Sequence, residues 1–557
     1  MLRKLGVPLA VGMVAGAVAA PAAAGTNAIQ RENEFRGTVK WRIATSPGRA
    51  IEGYASEVSV YPGQKVHLHV SSRPARPYRI EVYRLGWYRG RGGRLVACSP
   101  SCTGRRRGEP RPVPPPDPVA REIDAKWPIT NVIRVGATWT SGYYIANLVL
   151  LAGPSAGRGT SVPFIVKAPL LEPSRILVQA PVNTWQAYNS WGGESLYGGT
   201  NGPAHMVSFN RPYSFRPSIR PLLVDEYPLV RFLEQRGYDV SYTTNVDVDS
   251  DPGELLHHRL FISVAHDEYW TKGIRDGLDR ARDLGTNLAF VGGNDGYWQV
   301  RYADDRRTLV EYRSAVLDPD PNPAEKTVSF RSLGRPECEL VGVEYQGGLN
   351  PANAPAQDYA VVPSALTNPW FRNTGFAPTS AVKEVVGHEG DAVVPDCDVP
   401  RPTVLFHYQA PRPADAVGYT ATSGARVFAA GSIDFDWALM PHSYRQMGAD
   451  TRLHQFMANA LRDLERPAGA TNVQAWQTGR RVVVQFDRSV DPRVHGFRVV
   501  RFQRGTPASQ RMRIVCRRAR LFCASHVPRA GGRYRYAVYA ADSWGDSIPR
   551  FTHWFFR

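Results

Sequence analysis

Between Arg175 and Val291 the apolar pattern switches period repeatedly, and that switching constrains the fold more than any other feature of the chain. Arg175-Ile176-Leu177-Val178-Gln179-Ala180 is a mostly apolar run of strand length. Leu229, Phe232 and Leu233 then fall at helical i, i+3, i+4 spacing, and Gly237 stands where a helix stop is expected. Residues 239–243 read as a strand, and Leu260-Phe261-Ile262-Ser263-Val264 is another buried run. Thr271 can cap a helix carrying Ile274, Leu278 and Ala281, which stops at Gly285 before the strand Asn287-Leu288-Ala289-Phe290-Val291. Strands alternating with helices predict βαβ units and a parallel sheet covered on both faces.

The flanks have a different period. Val66, Leu68 and Val70 alternate with polar residues, as do Tyr78, Ile80 and Val82, and residues 142–151 form a further strand. Near the other end Val482, Val484 and Phe486 alternate, then Phe497 and Val499, then Tyr534, Tyr536 and Val538. Period-2 runs between Gly/Pro clusters predict sandwiches. The expected fold class is therefore multidomain α/β plus all-β. Residues 27–167 form an N-terminal β-sandwich. Residues 170–466 form a three-layer α/β domain with a mainly parallel sheet, of glutamine amidotransferase/flavodoxin-like type. Within it, residues 320–401 read as an irregular insertion, after which residues 404–408 and 425–430 return to the sheet. Leu453, Phe456, Met457 and Leu461 make a closing helix. Residues 467–557 form a fibronectin type III-like β-sandwich. Fifty Gly and 45 Pro fit such a loop-rich, strand-rich chain and exclude a helical bundle.

The formal charge of +18 raises the question of a polyanionic partner. Only eight of the 68 basic residues are lysine, and the arginines are scattered, with one dense block at Arg105-Arg106-Arg107. No element combines a basic face with a nucleic-acid-binding motif, so no nucleic-acid partner is expected. Met1-Leu2-Arg3-Lys4, an apolar stretch to Ala20 and Ala22-Ala23-Ala24 have the pattern of a signal peptide cut after Ala24. No other segment has 18 continuous apolar residues, so no stable membrane insertion is expected after cleavage. Six cysteines fit an oxidising compartment, paired as Cys98–Cys102, Cys338–Cys397 and Cys516–Cys523. The chain is expected to be secreted or on the cell surface.

In an open parallel sheet, ligands bind beyond the carboxyl ends of the strands. Three strand ends here carry polar and aromatic residues: Asn183-Thr184-Trp185-Gln186-Ala187-Tyr188-Asn189, His266-Asp267-Glu268-Tyr269-Trp270 and Gly292-Gly293-Asn294-Asp295-Gly296. In extended chain His266 and Glu268 point to one side, so both can line one cavity. Zinc-protease, nucleophile-elbow, phosphate-loop and dinucleotide motifs are all missing. One alternative function is a non-catalytic cell-surface or carbohydrate-binding protein, in view of 13 Trp and 25 Tyr. Another is polyanion association through the positive charge.

Ile51-Glu52-Gly53-Tyr54-Ala55-Ser56, Tyr83-Arg84-Leu85-Gly86-Trp87-Tyr88, Thr184-Trp185-Gln186-Ala187-Tyr188-Asn189 and His266-Asp267-Glu268-Tyr269-Trp270 together resemble the N,N-dimethylformamidase large (β) subunit family over about residues 30–465. The resemblance implies hydrolysis of an amide C–N bond and one mononuclear iron (Fe3+) held by two tyrosines and a glutamate. It places Glu268 as the carboxylate ligand and Tyr188 as one tyrosine. The second tyrosine falls at Tyr144, with Tyr143 as the alternative. His266 and Asn294 become the catalytic neighbours. A small amide or amide-bearing substrate is implied. A small partner subunit is known in the family, and the resemblance leaves that subunit and the oligomeric state open here.

Overall fold

The computed structural model describes residues 26–169, 171–349, 356–409, 412–441, 445, 447–503, 512–519, 521–526, 533–547 and 549–556. The expected signal peptide lies outside them. Among the described residues no helix is long and apolar enough to cross a membrane.

The first module packs two sheets face to face. One contains Ile51–Ala55, Lys65–Ser72 and Asn131–Arg134, and the other is built around Pro77–Leu85, Gly142–Leu150 and Gly159–Val166. Alternation in each strand sends Val66, Leu68, Ile80, Val82, Leu148 and Phe164 into one core. The last module repeats the scheme on a smaller scale. Thr471–Thr478, Arg481–Asp487 and Phe522–His526 face a sheet containing Gly496–Gln503 and Arg533–Asp542. Val484, Phe486, Val499, Tyr536 and Val538 fill the space between them.

The central nine-stranded sheet departs from expectation. Its strand order begins Val240–Thr244, Ile176–Ala180, Leu260–Ala265, Asn287–Gly292, Arg426–Ala429. It continues Ala414–Thr420, Thr403–Tyr408, Gln357–Val361, Ala381–Val386. The first four pairings are parallel. The last four are antiparallel. The expected mainly parallel, flavodoxin-like three-layer domain is therefore wrong: the sheet is mixed, and the described residues are 36% strand and 20% helix. The physical reason lies after residue 320. Thr403–Tyr408, Ala414–Thr420 and Arg426–Ala429 follow one another through connections of five residues, which reverse the chain and are too short for the crossover a parallel pair needs. The segment read as an irregular insertion supplies two of these strands, Gln357–Val361 and Ala381–Val386.

Two buried contacts fix the modules to one another. Arg84 of the first sandwich meets Glu234 of the helix Tyr227–Gln235 through two contacts of 2.7 and 3.0 Å, and both side chains are almost fully buried. Arg259 of the central domain pairs with Asp542 of the last sandwich and lies over the Trp544 ring. Three disulfides, Cys98–Cys102, Cys338–Cys397 and Cys516–Cys523, match the expected pairing. Cys516–Cys523 joins the two sheets of the last module.

Candidate active site

The three strand ends singled out by sequence lie side by side. Ile176–Ala180 runs into Pro181 and the short helix Val182–Ala187, and Tyr188 caps that helix. Leu260–Ala265 ends on Ala265 at φ 65°, a left-handed turn that redirects the chain into His266-Asp267-Glu268. Asn287–Gly292 ends where a Cβ on Gly292 would sit 1.7 Å from the Ala265 carbonyl oxygen, so only glycine lets these two strands end together.

Local alternation then sorts the side chains. Asp267 turns inward and accepts hydrogen bonds from Gln179, Asn245 and Ser263. His266 and Glu268 turn the other way. The Tyr188 hydroxyl donates to Glu268 Oε2 at 2.9 Å. A residue the sequence reading missed, Tyr197, completes the group. Its hydroxyl is 2.7 Å from that of Tyr188 and 3.0 Å from Glu268 Oε2. The Tyr188 and Tyr197 rings stack at 4.2 Å. The Tyr269 hydroxyl reaches Tyr197 at 2.5 Å and accepts from Arg313 at 2.8 Å.

A second acidic group faces the first. His266 Nε2 lies 3.2 Å from Glu268 Oε2 and 3.2 Å from Glu389 Oε2, with no aligned hydrogen bond to either. Asn294 Nδ2 donates to Glu389 at 2.8 Å, and the Asn294 backbone N–H is held by Asp391. Asn294 Oδ1 is buried without a partner among the described residues. Thus the structure brings together Tyr188, Glu268, His266 and Asn294, and adds Tyr197, Tyr269, Glu389 and Arg313.

Tyr144 is a correction. It is fully buried in the first sandwich, stacked on Trp139 at 5.1 Å, and its hydroxyl donates to the Thr140 carbonyl at 2.7 Å. In the strand Gly142–Leu150 successive side chains alternate faces, and Tyr144 is on the face that fills the sandwich. The alternative, Tyr143, faces the central domain, but its hydroxyl donates to Glu226 at 2.7 Å, away from Glu268.

The electrostatics follow from burial and neighbours. Burial and the Glu268 charge hold the Tyr188 and Tyr269 phenols well above their usual range. Burial alone lowers the pKa of His266, but the Glu389 and Glu268 carboxylates override it and raise it well above the ordinary histidine range. Burial raises the Glu389 pKa, but His266, the Asn294 hydrogen bond and His388 together lower it more. A cavity of about 420 Å³ opens on this group, walled by Tyr188, His266, Glu389, Trp185, Phe215 and Asp225.

No group of three or more His, Cys, Asp or Glu side chains among the described residues has the geometry to hold a metal. The oxygens of the tyrosines change that count. Four short contacts link Tyr188, Tyr197, Tyr269 and Glu268, yet only three phenolic protons are available and an ionised carboxylate has none. At most three of the four can be full hydrogen bonds at once. The donor set, hard and mostly phenolic, fits a trivalent cation in place of the protons.

Solved structures similar to parts of the chain include titin kinase and its flanking domains, at 13% identity over 16% of this chain and 16% of that chain, TM-score 0.14. An Fn3-like protein from Clostridium thermocellum is 16% identical over 15% of this chain and 88% of that chain, TM-score 0.13. The chicken CNTN1 FN1-FN3 domains are 9% identical over 90% of this chain and 97% of that chain, TM-score 0.15. At scores this low none of them defines the fold. No curated protein matches the chain. The family model described as N,N-dimethylformamidase beta subunit-like, C-terminal, does match, over residues 79–448. That span holds all eight residues of the cluster, and the chain belongs to the N,N-dimethylformamidase beta subunit-like family.

Proposed function

We propose that the protein is an exported amide hydrolase with one iron held by Tyr188, Tyr197 and Glu268. The observation that carries this reading is the convergence of those three oxygen side chains beside His266, where Tyr188 and His266 wall a cavity of about 420 Å³. Tyr197 takes the place that the sequence reading gave to Tyr144. Three disulfides support an oxidising compartment.

An iron bound there supplies a Lewis acid for the amide carbonyl and for the attacking water. The remaining work falls to the chain. Glu268 and Glu389 keep His266 protonated, so it can hand its proton to the leaving amine and take one back from the attacking water. Glu389 balances the charge His266 carries. Asn294 is anchored through its Nδ2, which leaves Oδ1 to accept from a substrate N–H. Arg313, bound to Tyr269 and stacked over the Tyr197 ring at 4.4 Å, holds the outer tyrosines in place.

Metal analysis with a visible spectrum tests the reading, paired with amine release from a panel of N-substituted formamides. One iron per chain and a phenolate-to-iron band are expected, both lost in Tyr197→Phe and Glu268→Gln and both kept in Tyr144→Phe. Pure protein without stoichiometric transition metal overturns the metal site. Iron-loaded protein that cleaves no amide of the panel but binds sugars through the cavity favours the non-catalytic alternative.

A further inference from the structure

A second cavity, of about 560 Å³, opens at the seam between the central domain and the last sandwich. Six arginines line it: Arg372, Arg401, Arg426, Arg462, Arg466 and Arg550. Asp463 is the one carboxylate among the lining residues. Six arginines spread over residues 372–550 thus meet in one concave place, with Arg550 contributed by the last module.

Arg426 is the informative member. It is only 8% exposed, and its Nε is buried without a hydrogen-bond partner. Its Nη2 donates to the Asp463 and Arg466 carbonyls, but the Asp463 carboxylate stays 3.6 Å from Nε. Asp463 Oδ2 is already occupied by the Trp370 indole at 3.0 Å. Burial lowers its pKa, Asp463 offsets part of that shift, and Arg550 and Arg466 nearby add like charge that lowers it further. A buried guanidinium facing other guanidinium groups is costly unless an anion compensates. Arg372, Arg401, Arg462 and Arg550 are exposed, and with Arg466 they make no ion pair among the described residues.

This place is separate from the amide site. Arg426 begins a strand whose backbone N–H is bound by Asn287, at the start of the neighbouring parallel strand. Asn294 lies beyond the opposite end of that neighbouring strand, and Glu268 beyond the same end of the parallel strand Leu260–Ala265.

We propose that this cleft is a binding site for a small polyanion carrying two or more phosphate or sulfate groups. Guanidinium forks match the paired oxygens of such groups, and one monovalent anion would leave most of the six charges unanswered. The ligand would also tie the last sandwich to the central domain, since Arg550 stands on one side and the other five arginines on the other.

The test is calorimetric titration of the full chain with sodium tripolyphosphate and, separately, with sucrose octasulfate, at low and at physiological ionic strength. Binding of at least one probe is expected, with a raised melting temperature and weakening by salt. The exposed pair Arg401→Glu and Arg462→Glu should weaken it at least tenfold. Reversing the equally exposed Arg105 and Arg106, far from the cleft, should leave it within twofold. Melting curves confirm that both variants fold, and a milder Arg401→Gln, Arg462→Gln variant replaces the first if it does not. Preference between the probes identifies phosphate or sulfate chemistry. Absence of binding by either, or equal loss in both charge-reversal variants, overturns the proposal.

Discussion

Glu226 ties the first sandwich to the candidate site, and replacing it separates charge from contact. Its carboxyl is 1% exposed and receives the Tyr143 hydroxyl on Oε2 and the Trp185 indole on Oε1, each at 2.7 Å. Tyr143 belongs to the sandwich, and Trp185 to the helix that ends at Tyr188. Burial, aided by the Asp225 and Asp267 charges, pushes this carboxyl from the usual 4.5 up to about 8. The native state therefore keeps the proton that the unfolded chain loses first. Stability from this group is complete below about pH 4.5 and is lost as the pH rises through about 8. At about 1.4 kcal/mol per pH unit, the loss reaches roughly 5 kcal/mol as an upper bound. Glu226→Gln removes the titration while keeping one acceptor and one donor. Urea unfolding followed by tryptophan fluorescence from about pH 5 to about pH 8 should show the variant gaining on the wild type as pH rises. Glu226→Ala also removes the titration but leaves both partners unpaired, so it should cost roughly 2–4 kcal/mol at about pH 5, and the gap to the wild type should narrow as pH rises. Wild-type and Glu226→Gln profiles that run parallel would refute a protonated Glu226.

Other outcomes follow from single contacts. Glu234→Gln strands the buried Arg84 and should lower stability by about 3–5 kcal/mol in urea, or split unfolding into two transitions as the sandwich undocks. Removing Cys338–Cys397, whose partners are 59 residues apart, should cost about 4 kcal/mol by chain entropy, against about 2 kcal/mol for Cys98–Cys102. His388, on the wall of the amide cavity, is raised chiefly by its 2.8 Å hydrogen bond to Asp434, so Asp434→Asn should make its ring titrate at lower pH by NMR.

Much of the site was readable because each motif is a local event. A strand ends, the chain turns, and the next residues alternate sides. That is enough to place His266, Glu268 and Asn294 near Tyr188 without knowing the rest of the fold. Tyr144 failed for the same reason in reverse. A distance counted along the sequence carries no information about which face of a strand a side chain takes, and Tyr144 falls on the inner face of the sandwich. Tyr197 follows a tight turn at Trp191–Gly193, in a loop with no period to read. Its only local signals were the glycines beside it and its nearness to Tyr188.

Glu389 was missed together with the antiparallel half of the sheet, and the two omissions are one. The run His388-Glu389-Gly390-Asp391 is dense in titratable groups, but in an irregular insertion it has no assigned position. Once Ala381–Val386 becomes the last strand of the central sheet, the chain leaves it directly into Glu389–Ala392. That path delivers Glu389 to His266 and Asn294, and Asp391 to the Asn294 backbone. A mainly parallel sheet covered by helices would have ended near Arg426–Ala429 and left His266 facing only Glu268. The reversal of strand direction is thus what brings a second carboxylate against His266. Three strand ends from the parallel half supply Tyr188, Glu268, His266 and Asn294, and the two-stranded sheet entered from the antiparallel half supplies the carboxylate opposite them.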